Sequence, residues 1–98
     1  MNLELEFSDP FLDEVVTRLY RAAALFRDDA FRELLRNAAV AILRAEDFDG
    51  LQRALTLADS LLVTGAALGH ISPSVAQALR DPLPLVLEPR APATASAH

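Results

Sequence analysis

The stretch DDAFRELLRNAAVAILRA, residues 28–45, decides how this chain folds. Its apolar residues recur at spacings of one, three and four, which is the pattern of one face of an α-helix. Asp28 or Asp29 begins the helix, because an aspartate just before an apolar-periodic run is a good N-cap. The residues predicted to face inward are Phe31, Leu34, Leu35, Ala38, Ala41, Ile42 and Ala45.

Comparable helices precede and follow this stretch. The first helix begins at SDPFLDE, where Asp9 or Ser8 is the N-cap and Pro10 takes the first helical position, and it runs to about Arg27. The third runs from about Asp49 to Leu68 and ends at Gly69, where a C′ glycine is expected. Short connections make sequential helices antiparallel, so the three form an up-down-up bundle. The inward-facing residues are predicted to be Phe11, Leu12, Val15, Val16, Leu19, Ala22, Ala23 and Phe26 in the first helix and Leu51, Ala54, Leu55, Ala58, Leu61, Leu62, Gly65 and Leu68 in the third.

A short fourth helix completes the predicted bundle. In ISPSVAQALRD, residues 71–81, Ser72 offers a cap and Pro73 suits the first helical position. Pro82 and Pro84 end this helix early, because proline lacks an N–H and clashes with the preceding turn. The residues predicted to face inward are Val75, Ala76 and Leu79.

The two ends of the chain carry alternating patterns that suit strands rather than helices. Leu83, Leu85 and Leu87 alternate with other residues, as do Leu3, Leu5 and Phe7. We expect a two-stranded ribbon, formed within one chain or between two chains; alternatively, both segments are extended and merely lie on the bundle. The sequence thus predicts one all-α domain, residues 1–89, with short extended or β segments at its ends, and a Pro/Ala-rich tail, residues 90–98, that is disordered.

Composition limits the classes of function. A length of 98 residues, 52% of them hydrophobic, suits a single domain with a modest core. The absence of cysteine excludes disulfides and thiolate chemistry. A net charge of −5 disfavours a phosphate backbone as the default partner. The chain lacks an apolar run of the roughly 18 residues that a membrane span needs, and MNLELEF does not resemble a signal peptide, so a cytoplasmic location is expected.

Residues that could carry catalysis are sparse. The two histidines are His70, after the third helix, and His98, in the predicted tail. A His70 ring packed on the turn is a simpler interpretation than a general base, because no nucleophile pattern surrounds it. The adjacent acid pairs, such as Asp28 and Asp29, suit helix starts and do not aim two carboxylates at one point. The sequence therefore predicts no enzyme activity, no cofactor and no metal site.

Apolar residues on the predicted outer faces indicate self-association. Leu25, Val40, Leu43 and Val63 lie on the backs of three different helices, where a small monomeric bundle should be polar. We expect these four residues to form an interface between copies of the chain. Arg21, Arg36 and Arg44 have no acidic residue four positions earlier, so they are candidates for contact either with an acidic partner surface or with nucleic-acid phosphate.

A family resemblance covers residues 11–75. The matching residues are Leu35, Arg36, Ala38, Ala39 and Ile42 in the second helix, Ala54, Ser60 and Leu61 in the third, and Leu68, Gly69, Ile71 and Ser72 after it. In these positions the chain resembles the bacterial four-helix-bundle proteins of the ribosomal RNA intervening-sequence type and their accessory relatives in diversity-generating retroelements. It departs from them in the turn RAEDFDG, in His70 where they have tyrosine, and in DPLPLVLEP where they have a long fourth helix.

The resemblance implies a ring-forming bundle, a pentamer in form, without enzyme activity, whose basic members bind nucleic acid. Together with the residues themselves, it leads to two hypotheses. The first is a self-associating bundle that serves as a scaffold or accessory for a protein partner. The alternative is a nucleic-acid-binding accessory that uses arginines grouped on the surface of the oligomer.

Overall fold

The computed structural model describes residues 10–87, and in this part of the chain all the regular elements are helices, without a strand. The predicted all-α bundle of three long helices and a short fourth is therefore confirmed. The helices are α1 (Pro10–Ala22), followed by a 3₁₀ turn (Ala23–Leu25), α2 (Asp29–Arg44), α3 (Phe48–Ala67), α4 (Pro73–Arg80) and the single turn α5 (Leu83–Val86). None of the described helices is long and apolar enough to cross a bilayer.

Side-chain caps and one glycine set the ends of the long helices. The Asp28 carboxylate accepts a hydrogen bond from the Phe31 N–H at 3.0 Å, and the Asp47 carboxylate accepts one from the Gly50 N–H at 2.7 Å. Gly69 takes a φ of +80° just beyond α3, a left-handed conformation that suits the predicted C′ glycine. Ser72 precedes α4 as predicted, but its hydroxyl contacts that of Ser74 instead of capping the helix.

Helix α2 is the central element of the bundle. Helices α1 and α3 both pack along α2, α4 packs on α3, and α5 touches α1, α3 and α4. The core between them is apolar, and no polar or charged side chain is buried among residues 10–87. The largest fully buried side chains are Phe26, Leu19, Leu35, Ile42 and Leu62.

Residues 83–87 correct the predicted extended segment. They contain a helical turn in which Leu83 and Val86, three positions apart, are both buried. Pro84 is tolerated because the first turn of a helix does not need its missing N–H. The alternating pattern was misleading here, since contact with α1, α3 and α4 selects the helical spacing. The proposed strand partner at residues 3–7 and the predicted tail at residues 90–98 lie outside the described residues.

Three residues predicted to face inward are exposed instead. Leu34 and Ala41, seven positions apart on α2, lie at the edge of its buried arc, and Leu34 is 43% exposed. Leu68 is 59% exposed, because α3 ends at Ala67 and the chain turns away from the core. An apolar stripe therefore extends beyond what the neighbouring helices cover.

Candidate protein-interaction surfaces

Nine large hydrophobic side chains are exposed in the described part of the chain. Isolated exposed aliphatic residues are normal on a protein surface, so their arrangement matters more than their presence. Several of them lie along the two flanks of α2, where it meets α1 and α3. The nine are Tyr20, Leu25, Leu34, Leu43, Phe48, Leu57, Val63, Leu68 and Leu85.

The first flank, which we name the α1–α2 face, consists of Tyr20, Arg36, Val40 and Leu43. The guanidinium carbon of Arg36 lies 6.0 Å from the centroid of the Tyr20 ring, at the outer range of a cation–π contact. Val40 and Leu43 follow Arg36 by four and seven positions, so helical periodicity places them on the same side of α2. Val40 is half-buried and Leu43 is exposed. The arginine and the tyrosine thus cover one another at one end of an apolar stripe.

The second flank, which we name the α2–α3 face, consists of Leu34, Asn37 and Ala41 on α2 and Leu57 on α3. All four are exposed, Leu57 by 46% of its surface. The Ala45 side chain lies 3.9 Å from the position that a Cβ on Gly50 would take, which fixes how the antiparallel helices align. Leu57 is seven residues after Gly50, so it lies level with Ala38, seven residues before Ala45. The four residues therefore share one patch near the middle of the outer surface.

The four predicted interface residues do not lie on one surface. Val40 and Leu43 belong to the α1–α2 face, whereas Leu25 lies in the 3₁₀ turn. Val63 comes six residues after Leu57, which turns α3 by about 240° and places it on the flank away from α2. The sequence prediction did not include Tyr20, Leu34 or Leu57. The spacing of Leu34, Asn37 and Ala41 is the available signal, but the sequence analysis predicts Leu34 and Ala41 to face inward and makes no prediction for Asn37.

The three candidate arginines are also separated. Arg36 lies over the ring of Tyr20, and Arg21 directly follows Tyr20 in α1. Arg44 lies eight residues beyond Arg36 on α2, a rise of about 12 Å along the helix axis. Arg21 and Arg44 are exposed, whereas Arg36 is half-buried. The structure therefore places Arg36 and Arg21 at one level of the bundle and Arg44 towards the other end of α2.

His70 takes part in the closure of one end of the bundle. Its ring centroid lies 5.0 Å from that of Phe31, and Phe31 stacks on Phe26 with centroids 5.8 Å apart. The His70 N–H donates to the Gly65 carbonyl at 2.8 Å, and the His70 carbonyl accepts from the Arg27 N–H at 2.9 Å. The position of His70 is thus explained by packing and by backbone hydrogen bonds that join three segments.

An open groove of about 340 Å³ runs between α3 and the α4–α5 segment. Its charged side chains are Arg80 and Asp59, joined by a hydrogen bond of 2.7 Å from Nε to Oδ1. This hydrogen bond, and then the negative charge of Asp59, raises the pKa of Arg80. The cation is neutralised within the chain, so the groove offers an apolar floor beside a satisfied ion pair. The lining residues are Leu55, Thr56, Asp59, Arg80, Leu83, Pro84 and Leu87.

Within residues 10–87, no three acidic or histidine side chains are gathered so that they could hold a metal ion. The described surface carries arginines, carboxylates and hydroxyl groups, and His70 is half-buried.

No family model, no curated protein and no solved structure matches this chain. Its surfaces are therefore interpreted from its own residues.

Proposed function

We propose that this chain is a non-enzymatic, self-associating helical-bundle protein that serves as a scaffold or accessory for a protein partner. The observation that supports this proposal is the set of nine large hydrophobic side chains exposed on a bundle whose own core is apolar and filled. Covering such side chains removes apolar surface from water, and two pairs of them lie along the flanks of α2. A homo-oligomer is the usual way in which a small protein covers repeated apolar surface.

The energy scale favours weak and reversible association. Covering a leucine that is half exposed contributes on the order of 1 kcal/mol, half of the gain from complete burial of its side chain. A patch with several such residues on each copy contributes several kcal/mol, part of which offsets the loss of translational and rotational freedom. The expected result is reversible association, not an obligate assembly of intertwined chains.

The remaining surface chemistry favours a scaffold over a catalyst. The one charged pair at a groove, Asp59 with Arg80, is satisfied within the described part of the chain. His70 is engaged in packing and backbone hydrogen bonds at the end of the bundle. These features leave apolar contact as the property that a partner would recognise.

Analytical ultracentrifugation across the micromolar range tests the proposal. We expect a mass that is a multiple of the single chain and that falls reversibly on dilution. A chain that sediments as a monomer at every concentration contradicts the proposal. Binding of a short RNA and a short DNA, followed by fluorescence anisotropy at low and physiological salt, tests the alternative. A monomer that binds either nucleic acid at low salt and releases it with added salt would favour the accessory that uses Arg21, Arg36 and Arg44.

A further inference from the structure

We propose that the α2–α3 face binds the same face of a second copy about a two-fold axis beside Asn37, with the two α2 helices antiparallel. This inference rests on the proposed self-association and identifies the surface that carries it. An interface of this kind is isologous, so each patch must be complementary to itself. Residues along α2 meet that requirement in shape, in polarity and in charge.

Shape complementarity comes from Leu34 and Ala41. The two residues lie on the same flank of α2, seven positions apart and on either side of Asn37. A two-fold axis beside Asn37 places Leu34 opposite Ala41 of the partner subunit, and Ala41 opposite Leu34 of the partner subunit. A large side chain therefore meets a small one twice, which lets the helices approach closely. Leu57, level with the axis on α3, meets Leu57 of the partner subunit.

Asn37 suits a position at the two-fold axis. Its side-chain amide carries both a donor and an acceptor, so two copies facing each other can satisfy one another. A single asparagine in an otherwise apolar helix seam also selects one register, because any other register leaves the amide buried without a hydrogen bond. The polar residue in the middle of this face thus favours one arrangement of the two chains.

Charge complementarity selects the antiparallel orientation. The exposed residue Glu33 lies in the first half of α2, and Arg44 lies in its last turn, whereas the carboxylate of Asp29 is already paired with Arg32 of its own chain. The same axis places Arg44 near Glu33 of the partner subunit. Arg53, three residues after Gly50 on α3, adds a second cation at the Arg44 end. A parallel arrangement would bring like charges together, and like charges disfavour association.

The size of the face is close to the lower limit for a small specific interface. Helices of 16 and 20 residues, side by side, give a face about 20 Å wide and about 24 Å long. The accessible surface buried between two such faces exceeds their flat area, because side chains project from them. This buried surface approaches the lower range found for stable protein–protein interfaces. The α1–α2 face is a poorer choice, since covering it would desolvate the Arg36 guanidinium.

A cysteine at the axis gives the first test, because the chain contains no cysteine of its own. The proposed axis brings the Cα atoms of residue 37 in the two copies within about 7 Å of each other, which is the limit for a disulfide. Asn37→Cys can therefore form a disulfide across the interface. We expect mild oxidation to convert most of this variant to a covalent dimer, whereas Gln52→Cys and Val63→Cys, both exposed on other parts of α3, form no such cross-link. Equal cross-linking of all three would overturn the assignment. If the copies instead form a ring through two different patches, Asn37→Cys should not cross-link, and that result would also overturn the assignment.

Matched pairs of acidic substitutions give the second test. Leu34→Glu with Leu57→Glu alters the α2–α3 face, and Val40→Glu with Leu43→Glu alters the α1–α2 face. We expect the first pair to raise the dissociation constant by at least about 100-fold and the second by less than about 3-fold, with circular dichroism confirming that both variants fold. The reverse result would refute this face while leaving self-association intact. A wild-type chain that is always monomeric would refute both.

A charge exchange tests the orientation. Glu33→Arg alone and Arg44→Glu alone each place like charges across the interface, and we expect each to weaken association by about 10-fold. The double variant restores opposite charges and should recover association to within about 3-fold of the original. Additive losses in the double variant would contradict the antiparallel arrangement.

Discussion

Two parts of α3 are attached to the rest of the molecule by different means. Near its C-terminal end, Gly65 lies directly against the ring of Phe26, and the adjoining His70 is hydrogen-bonded to the segments on both sides. In its middle, Asp59 reaches Arg80 of α4 beside an open groove. The first attachment is closed and apolar, whereas the second is partly exposed, with 35% of the Arg80 side chain and 42% of the Asp59 side chain accessible to solvent.

The difference shows where this small domain obtains its specificity. The Phe26 ring packs so closely against Gly65 that an added methyl group would occupy the same space as the ring. Such close packing permits little change in the relative position of the two helices. An exposed ion pair is screened by water and salt and tolerates several arrangements. We therefore expect the contact at Phe26 to fix the relation of α1, α2 and α3, and the contact at the groove to adjust more freely.

The largest expected effect comes from removal of the Phe26 ring. Phe26→Ala leaves a cavity among α1, α2 and α3 and should lower the free energy of unfolding by about 3–5 kcal/mol. Its neighbour Leu25 is 58% exposed, so Leu25→Ala should change that free energy by less than about 0.5 kcal/mol. Urea denaturation followed by far-UV circular dichroism, at protein concentrations matched for association, measures both variants. Similar losses in the two variants would show that the ring does not close this end.

A smaller loss is expected when a methyl group is added at Gly65. Alanine is favoured over glycine in a helix by about 1 kcal/mol, so helix propensity alone predicts stabilisation. The contact with Phe26 reverses the sign, and we expect Gly65→Ala to destabilise the chain by about 1–3 kcal/mol. In a Phe26→Leu background the same substitution should cost less, because the ring that it meets is gone. A loss that is the same in both backgrounds would rule out this contact as the cause.

Local sequence signals predicted the helices well, because caps and helix-ending residues act within a few positions. Pro10, Asp28, Pro73 and Gly69 each lie where their conformational preferences suggested. Gly65 was correctly placed on the inner side of α3. Its role as the space for Phe26 could not be predicted, since that contact joins residues 39 positions apart along the chain.

The surfaces were harder to predict than the helices. Periodicity shows which side of a helix is apolar, but it does not show how much of that side the neighbours will cover. Periodicity predicts Leu34 on the inner face with Leu35 and Ala38, and only the positions of α1 and α3 reveal that it lies outside the buried arc. Similarly, Leu83 and Val86 acquired helical spacing from contacts that are distant in sequence. Both differences concern tertiary contacts, which a single sequence specifies only indirectly.

The smallest effect is expected at the ion pair of the groove. Asp59→Asn removes the negative charge beside Arg80 while it keeps the size of the side chain, and exposed pairs contribute little to stability. We expect its urea midpoint to match that of the original chain at high salt and to differ only slightly at low salt. The control is Glu14→Gln, which removes an exposed carboxylate of α1, far from Arg80 in the sequence.

We expect the pair of Asp59 and Arg80 to leave the dependence of stability on pH unchanged near neutrality. Asp59 raises the pKa of Arg80, first through the hydrogen bond and then through its charge. A raised pKa contributes stability below the unfolded-state value and loses it only as the pH passes the folded-state value, and a guanidinium reaches neither near neutrality. Arg80 should therefore add no slope to stability from neutral to mildly alkaline pH. If Asp59→Asn instead lowered the free energy of unfolding as much as Gly65→Ala, charge would stabilise the groove as strongly as packing stabilises the contact at Phe26, and the contrast between the two attachments would disappear.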